Sequence, residues 1–185
     1  SNEVIFIAGR GGVSSSISLY VLNSDTLELL WSKDLSEGNS YISSNLAIGD
    51  INYDGKKEVV LSEEGYFDGG NCIDCFKNKI SVYDYQGNLL EGWPIYNCGY
   101  GNRPILVDIN DDNKLEIFLS SGGAYWYDRE IFRDSSLSTS GTLKMSLLNY
   151  DGSFVSGWPV YNRGIDIPAV GKTQDSKVFF VGGAA

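Results

Sequence analysis

Short runs of apolar and β-branched residues alternate with segments rich in Gly, Asn and Asp along the whole chain. Runs of this length, bounded by turn-forming residues, are typical of β-strands. The chain shows no helical period sustained over ten residues, so the pattern predicts an all-β fold. Gln86-Gly87 and Asp151-Gly152 predict hairpin turns, since glycine accepts the positive φ that such turns need.

The chain repeats itself with a period of about 60 residues. One repeated element is a strand, a polar turn and a tryptophan, and it places Trp31, Trp93 and Trp158 in equivalent positions. The other is an acidic loop followed by an apolar run, with copies that start at Asp50 and Asp108. Each period holds four short apolar runs, and four strands are the unit of a propeller blade. We expect Trp93 and Trp158 to pack between blades.

The phase of the repeat predicts how the blades divide the chain. Three strands come first, two sets of four follow, and two strands close the sequence. The expected fold is a β-propeller-like array with two complete and two partial blades, in an open or partial propeller. The single domain 1–185 then divides into a partial blade 1–40, blades 41–97 and 102–162, and a partial blade 165–185. Open strand edges invite pairing with another chain, so we expect head-to-tail self-association.

Composition excludes several classes of function. The chain has no histidine, which excludes Ser-His-Asp and Cys-His catalysis and histidine zinc sites within it. Its three cysteines are too few for a four-thiolate zinc site. A formal charge of −10 argues against nucleic-acid binding and favours cations. No run of apolar residues is long enough for membrane insertion, and we expect any signal peptide to have been removed or to lie outside this sequence.

Two loops present oxygen ligands in a pattern that suits a hard cation such as calcium. Alternate side chains of each loop can turn inward around one ion, joined by one backbone carbonyl. The predicted ligands of the two Ca²⁺ sites are Asp50, Asn52, Asp54, the Lys56 carbonyl and Glu58, and then Asp108, Asn110, Asp112, the Lys114 carbonyl and Glu116. The alternative is an acidic, Asx-rich hairpin turn without a metal.

The residues between the ligands predict the shape of each loop. Gly55 lies where the chain must turn sharply, and Asn113 replaces it in the second loop as the best non-glycine residue for a left-handed conformation. Tyr53 and Asp111 should point outward. An EF-hand is excluded, because its twelfth position needs glutamate and both loops have leucine there. A third, shorter copy has Lys172 in place of the first aspartate, so we expect no metal in it.

The segments AIGDINYDGKKEVVL and ISVYDYQGNLLEGWPI resemble the FG-GAP/VCBS repeats, known from the integrin α-subunit propeller and from secreted bacterial proteins. The resemblance covers most of the chain, in two good copies and two partial ones. It implies a β-propeller, calcium in the loop between the first two strands of a blade, and extracellular work in adhesion or assembly. Carried over residue by residue, it implies the same ten calcium ligands.

Three cysteines allow several disulfide arrangements. Cys72 and Cys75 lie in a glycine-rich insertion, where a local disulfide between them would staple the loop. A bridge from either one to Cys98 is the alternative, with the third thiol free or intermolecular. A disulfide agrees with an oxidising, extracellular location.

Long insertions between the second and third strands of the complete blades carry aromatic and arginine side chains. Such clusters are typical of contact anchors, although the rings could instead fold back beneath their own loops. The candidate partner-binding residues are Tyr66, Phe67, Tyr125, Trp126, Tyr127, Arg129 and Phe132.

These features predict a non-enzymatic, calcium-stabilised repeat protein of the cell surface or extracellular space. It would serve adhesion, assembly or structural scaffolding, with a protein or glycan partner and possible self-assembly. The alternatives are a catalytic or non-catalytic domain of a secreted polysaccharide-acting enzyme, or a carbohydrate-binding module. An enzyme would need two carboxylates in one groove outside the calcium loops, from free acids such as Glu63, Asp68 and Asp128.

Overall fold

Antiparallel sheets make up the fold. The structure, a computed structural model, describes residues 3–9, 17–35, 44–65, 77–98, 103–120, 143–162, 169–173 and 178–181. In these ranges thirteen strands form four sheets of three, four, four and two strands. The strands are β1 (Glu3–Gly9), β2 (Ile17–Asn23) and β3 (Leu29–Asp34); β4 (Ser44–Gly49), β5 (Glu58–Gly65), β6 (Lys77–Tyr83) and β7 (Ile95–Cys98); β8 (Ile105–Val107), β9 (Glu116–Ser120), β10 (Leu143–Leu148) and β11 (Val160–Asn162); and β12 (Ala169–Lys172) and β13 (Val178–Val181).

Each sheet is a meander in which strands that follow one another in the chain pair antiparallel. The predicted all-β class is confirmed, and so is the division into three, four, four and two strands. The described residues include no helix that is long and apolar enough to cross a membrane. They do not close into a barrel or a ring, so the arrangement of blades in a propeller remains a prediction.

Two apolar clusters join the first three sheets in chain order. One cluster joins Leu19 of the first sheet to Val59 and Leu61 of the second. The other joins Val60 of the second sheet to Ile117 of the third. Neighbouring residues of β5 therefore serve opposite faces, as the alternation of side chains along a strand requires. Because Leu61 is fully buried, truncating it to alanine should cost about 2 to 5 kcal/mol.

The face of the first sheet that points away from the second sheet is more exposed to solvent than the corresponding face of the second sheet. Strand register makes the pair Val4–Leu22 equivalent to the pair Val59–Tyr83, and places Phe6 at the position of Leu61. Val4 and Phe6 are 42% and 39% exposed, whereas Val59 and Leu61 are 2% and 0% exposed. The same register positions are therefore buried in the second sheet by its neighbour and exposed in the first.

Two of the three tryptophans that follow the repeated turn donate a hydrogen bond to the next sheet. The Nε1 of Trp31 donates to the carbonyl of Tyr85 in the second sheet at 3.1 Å. Trp93 is 6% exposed and its Nε1 donates to the carbonyl of Tyr150 in the third sheet at 3.0 Å, so Trp93 packs between the second and third sheets. Trp158 makes an edge-to-face contact with Phe118 of its own sheet, at 6.0 Å between ring centroids.

Candidate metal centres

The acidic loops connect the first two strands of each complete sheet, where the resemblance predicts calcium. The first loop joins β4 to β5 and the second joins β8 to β9. Pairing of Gly49 with Glu58 brings the first and last predicted ligands to one end of the ladder, since Asp50 follows Gly49 directly. Pairing of Val107 with Glu116 does the same for the second loop.

The first loop is held by backbone N–H groups that donate to its own carboxylates. Asp50 accepts from the N–H of Asp54 through Oδ1 and from the N–H of Gly55 through Oδ2, both at 2.9 Å. Asp54 accepts from the N–H of Lys56 through Oδ1 at 2.8 Å. Each carboxylate oxygen has two lone pairs, so one such bond leaves a lone pair for a cation.

The second loop has nearly the same pattern. Asp108 accepts from the N–H of Asp111 at 2.7 Å and from that of Asn113 at 3.1 Å, and Asp112 accepts from the N–H of Lys114 at 2.8 Å. The two segments are identical at six of nine positions, which include all five predicted ligands, and they adopt nearly the same conformation.

The two predicted amide ligands also correspond. The Oδ1 of Asn52 accepts from the N–H of Asp54 at 3.1 Å, and its Nδ2 donates to the Oδ2 of Asp54 at 3.3 Å. Asn110 makes the same two contacts with Asp112, at 3.1 and 3.2 Å. Each amide thus connects the second and third ligands of its loop.

Residues in the left-handed backbone conformation give both loops their tight curvature. Gly55 has a φ of 86° and Asn113 a φ of 69°, so the predicted equivalence of these positions is confirmed. Tyr53 and Asp111 also have positive φ, 61° and 63°, which sequence reasoning missed. A tyrosine carries no signal for this conformation, since non-glycine residues adopt it rarely. The Tyr53 ring is 64% exposed and Asp111 is exposed, so both point outward as predicted.

The last carboxylate of each loop is buried among the others. Glu58 is 1% exposed and its Oε2 accepts from the N–H of Ile51 at 2.9 Å. Burial, with the negative charges of Asp54 and Asp50, raises the pKa of Glu58 from 4.5 to about 7.

Glu116, which is 3% exposed, accepts from the N–H of Ile109 in the same way. Burial, together with the charges of Asp112 and Asp108, raises the pKa of Glu116 as well. A buried carboxylate near two others is costly when ionised, and a bound cation would remove that cost.

The donor set of each loop fits a hard cation by its chemistry: three carboxylates, one amide oxygen and one peptide carbonyl. Within the described ranges, no three Asp, Glu, His or Cys side chains are gathered as an assembled metal site. Backbone N–H groups hold the carboxylates of the first loop. The residues fit calcium as donors.

The two lysines that supply the predicted carbonyl ligands place their side chains on neighbouring turns. The Nζ of Lys56 lies 4.2 Å from the ring centroid of Tyr85, and the Nζ of Lys114 lies 4.4 Å from that of Tyr150. These cation–π contacts connect each acidic loop to the turn that receives the tryptophan of the preceding sheet.

Lys172 belongs to the third, shorter copy and makes a contact that sequence reasoning missed. Its Nζ donates to the backbone carbonyl of Asp108 at 2.9 Å and to the Oδ1 of Asp111. The pKa of Lys172 is raised, mainly by its hydrogen bond with Asp111. The negative charges of Asp111, Asp108 and Glu116 raise it further. The lysine at the position of a missing ligand thus contacts the acidic loop of the neighbouring sheet.

Several predicted site residues lie outside the described residues. They are Cys72, Cys75, Tyr66, Phe67, Tyr125, Trp126, Tyr127, Arg129 and Phe132, together with the acids Asp68 and Asp128. Cys98 lies in β7, opposite Lys77 in the register. The interpretation of Glu63 as a free acid is wrong: its side chain is fully buried, and Lys79 on the adjacent strand lies 3.5 Å away as its ion-pair partner.

Comparison with known proteins leaves the chain without an established family. No family model matches it, and neither does any curated protein or solved structure.

Proposed function

We propose that this chain is an extracellular, calcium-stabilised β-propeller repeat protein of the FG-GAP/VCBS type, without catalytic activity, that serves adhesion, assembly or scaffolding. The observation that carries the proposal is the match between the two acidic loops in strand register, hydrogen bonding and backbone conformation. A single acidic hairpin is weak support for a metal, whereas two that fold alike at a fixed place in the repeat are not expected by chance.

The predicted ligands would act by joining adjacent strands. Asp50 and Glu58 stand at facing ends of β4 and β5, and Asp108 and Glu116 stand likewise between β8 and β9. Bound calcium would supply positive charge that lets three carboxylates lie together. A ligand that binds only the folded state stabilises it by mass action, by about 2.7 kcal/mol at a hundredfold excess over Kd.

A structural role suits the position of the loops. The acidic loops contact the turns that receive Trp31 and Trp93, so a rigid loop would stiffen the junction between neighbouring sheets. Extracellular calcium is millimolar and fills sites of modest affinity, which supports a location outside the cell or on its surface. The partner would then be a protein or a glycan.

Self-assembly is supported by the exposed face of the first sheet. Val4 and Phe6 occupy register positions that are buried between sheets elsewhere in the chain. An apolar sheet face of this kind would be covered by another sheet. We propose a second copy of the chain as its occupant.

Calcium binding tests the proposal directly. Isothermal titration of the 185-residue protein should show two sites, and calcium should raise the melting temperature above that in a chelator by about 5 to 10 °C for each filled site. The paired variants Asp50→Asn with Asp54→Asn, and Asp108→Asn with Asp112→Asn, should each remove one site, because each pair replaces two of the three carboxylates with neutral amides of nearly the same size. The proposal would be refuted if calcium left the melting temperature unchanged and titration gave no heat of binding.

A further inference from the structure

The third acidic loop has lost its first aspartate, and the lysine that replaced it reaches back to the second loop. Lys172 is the last residue of β12, at the place that Asp108 holds in the preceding copy. Its Nζ donates to the backbone carbonyl of Asp108 at 2.9 Å and to the carboxylate of Asp111. One side chain therefore joins the fourth sheet to the first and fourth residues of the second loop.

At the two positions that correspond to Asp111 and Lys172, the first loop and its neighbouring copy carry different charges. Its fourth residue is Tyr53, which carries no charge, and the residue of the next copy at the position of Lys172 is Asp108. The two loops are in contact, because the N–H of Leu115 donates to the carbonyl of Ile51 at 3.2 Å. Two loops with the same ligand set thus lie in different electrostatic surroundings.

We infer that the ammonium group of Lys172 stabilises the second loop when no calcium is bound. The same positive charge lowers the affinity of that loop for calcium. This inference rests on the proposed calcium function and adds a residue outside the ligand set that makes the two sites unequal. The ammonium group stays charged at neutral pH and is held beside the loop by two contacts. It repels a divalent ion bound to the same loop, and at 0.1 M salt charges within about 10 Å interact without full screening.

Asp111 makes the effect of Lys172 separable from that of the ligands. Its side chain is 58% exposed and faces the ammonium rather than the ligands, so it adds a negative charge that Lys172 offsets. The second loop carries one carboxylate more than the first, and without Lys172 the charge of that carboxylate would no longer be offset. The calcium affinity of the second loop should then rise.

The test uses the full chain with the first loop silenced by Asp50→Asn and Asp54→Asn, so that titration calorimetry reports the second loop alone. In 0.1 M salt, Lys172→Met should raise calcium affinity by about tenfold, and Lys172→Arg should leave it within about twofold, because arginine keeps the charge. Lys33→Met, which removes a charge from β3, is the matched control for net charge and should also have little effect.

The results distinguish a failure of the inference about Lys172 from a failure of the proposed calcium function. If the silenced-loop protein binds calcium and Lys172→Met leaves the affinity unchanged or lowers it, the inference is overturned and the calcium function stands. If neither loop binds calcium in the unmodified chain, the proposed function fails first. Adding Asp111→Asn to Lys172→Met should return the affinity toward the starting value. Circular dichroism of each variant shows whether the fold is kept, and Lys172→Gln, which also removes the charge, provides the test if Lys172→Met unfolds.

Discussion

The indole Nε1 of Trp31 donates a hydrogen bond to the backbone carbonyl of Tyr85 across the interface between the first and second sheets, at 3.1 Å. Trp93 and Tyr150 repeat the contact across the next interface at 3.0 Å. The ring of Tyr85 also lies beneath the Nζ of Lys56 from the acidic loop. One turn therefore connects the tryptophan of the preceding sheet to the candidate metal loop of its own sheet.

The first prediction concerns the glycine on which Trp31 rests. Gly87 has a φ of 83°, and a Cβ there would lie 2.7 Å from the Cδ2 of Trp31. Gly87→Ala should therefore cost about 2 to 4 kcal/mol, from backbone strain and from displacement of the indole. Gly157 has a φ of 86° with nothing within 4 Å of the same position, so Gly157→Ala should cost about 1 kcal/mol from strain alone.

Urea unfolding of the two alanine variants measures the difference between these costs. A larger loss in Gly87→Ala reports the contribution of the tryptophan contact, since the two glycines have nearly the same φ. Equal losses in the two variants would mean that Trp31 does not fasten the sheets in solution.

The second prediction separates the cost of the buried carboxylate from its role with calcium. Glu58→Gln keeps an oxygen that can accept from the N–H of Ile51 but removes a charge that is buried near two others. Without calcium at pH 8, the variant should be more stable than the unmodified chain by about 1 to 3 kcal/mol. With calcium, it should gain less stability than the unmodified chain, because a charged ligand is gone.

Urea unfolding in a chelator and in millimolar calcium checks both halves of this prediction. Glu91→Gln, an exposed substitution in the turn before Trp93, is the control and should change neither value. A destabilised Glu58→Gln protein in chelator would show that the glutamate is stabilising as an anion without any cation.

Much of the fold could be predicted because short-range patterns in the sequence define the strands and turns of each repeat. Apolar runs bounded by Gly, Asn and Asp determine where strands begin and end, and Gly87 and Gly152 mark their turns with φ values of 83° and 82°. The closing strand was less predictable: Leu89 makes only an isolated bridge with Tyr83, and β7 begins later, after a second turn at Gly92.

The parts of the site that escaped prediction depend on contacts between repeats. The ligand spacing and the left-handed role of Asn113 could be read locally, whereas the contact of Lys172 with Asp108 joins residues 64 positions apart. The burial of Glu63 beside Lys79 likewise depends on strand register and on the neighbouring sheet. Side-chain type alone suggested a free acid at that position.

The third prediction is an acid sensitivity that arises in the turn after β6. The Oδ1 of Asp84 accepts from the N–H groups of Gln86 and Asn88, and its Oδ2 accepts from the Asn88 amide. Burial alone would raise the pKa of Asp84, but these hydrogen bonds outweigh it and lower the pKa below 3.8. A carboxylate with a lowered native pKa stabilises the fold above the unfolded value, and that stability is lost as pH falls through the native pKa.

Asp84→Asn measures that contribution, because Asn23 and Asn149 hold the equivalent turn positions in the other sheets. At pH 7 the variant should be less stable by about 1 kcal/mol or less, and the difference should be smaller at pH 3, below the ordinary aspartate pKa of 3.8. The measurement is urea unfolding in chelator at both pH values. A difference that grows toward low pH would contradict the assignment.

The fourth prediction tests the exposed face of the first sheet as the site of self-association. Phe6 stacks on Tyr20 at 5.4 Å between ring centroids, and Val4 lies on the same face. Strands of seven residues in a three-stranded sheet present a face of about 23 by 14 Å, which is smaller than most stable protein interfaces. The association should therefore be weak, with a Kd of about micromolar or above.

Sedimentation equilibrium over a wide range of concentrations should show reversible association of the 20.3 kDa chain, and Val4→Asp or Phe6→Asp should abolish it because a charge on a sheet face resists burial. Leu89→Asp is the matched control, since Leu89 is 43% exposed and Val4 is 42% exposed, and it should associate normally. Association that survives Phe6→Asp would place the contact elsewhere. A monomer at every concentration would rule out a second copy as the occupant of this face and would leave the calcium loops unaffected, since they belong to other sheets.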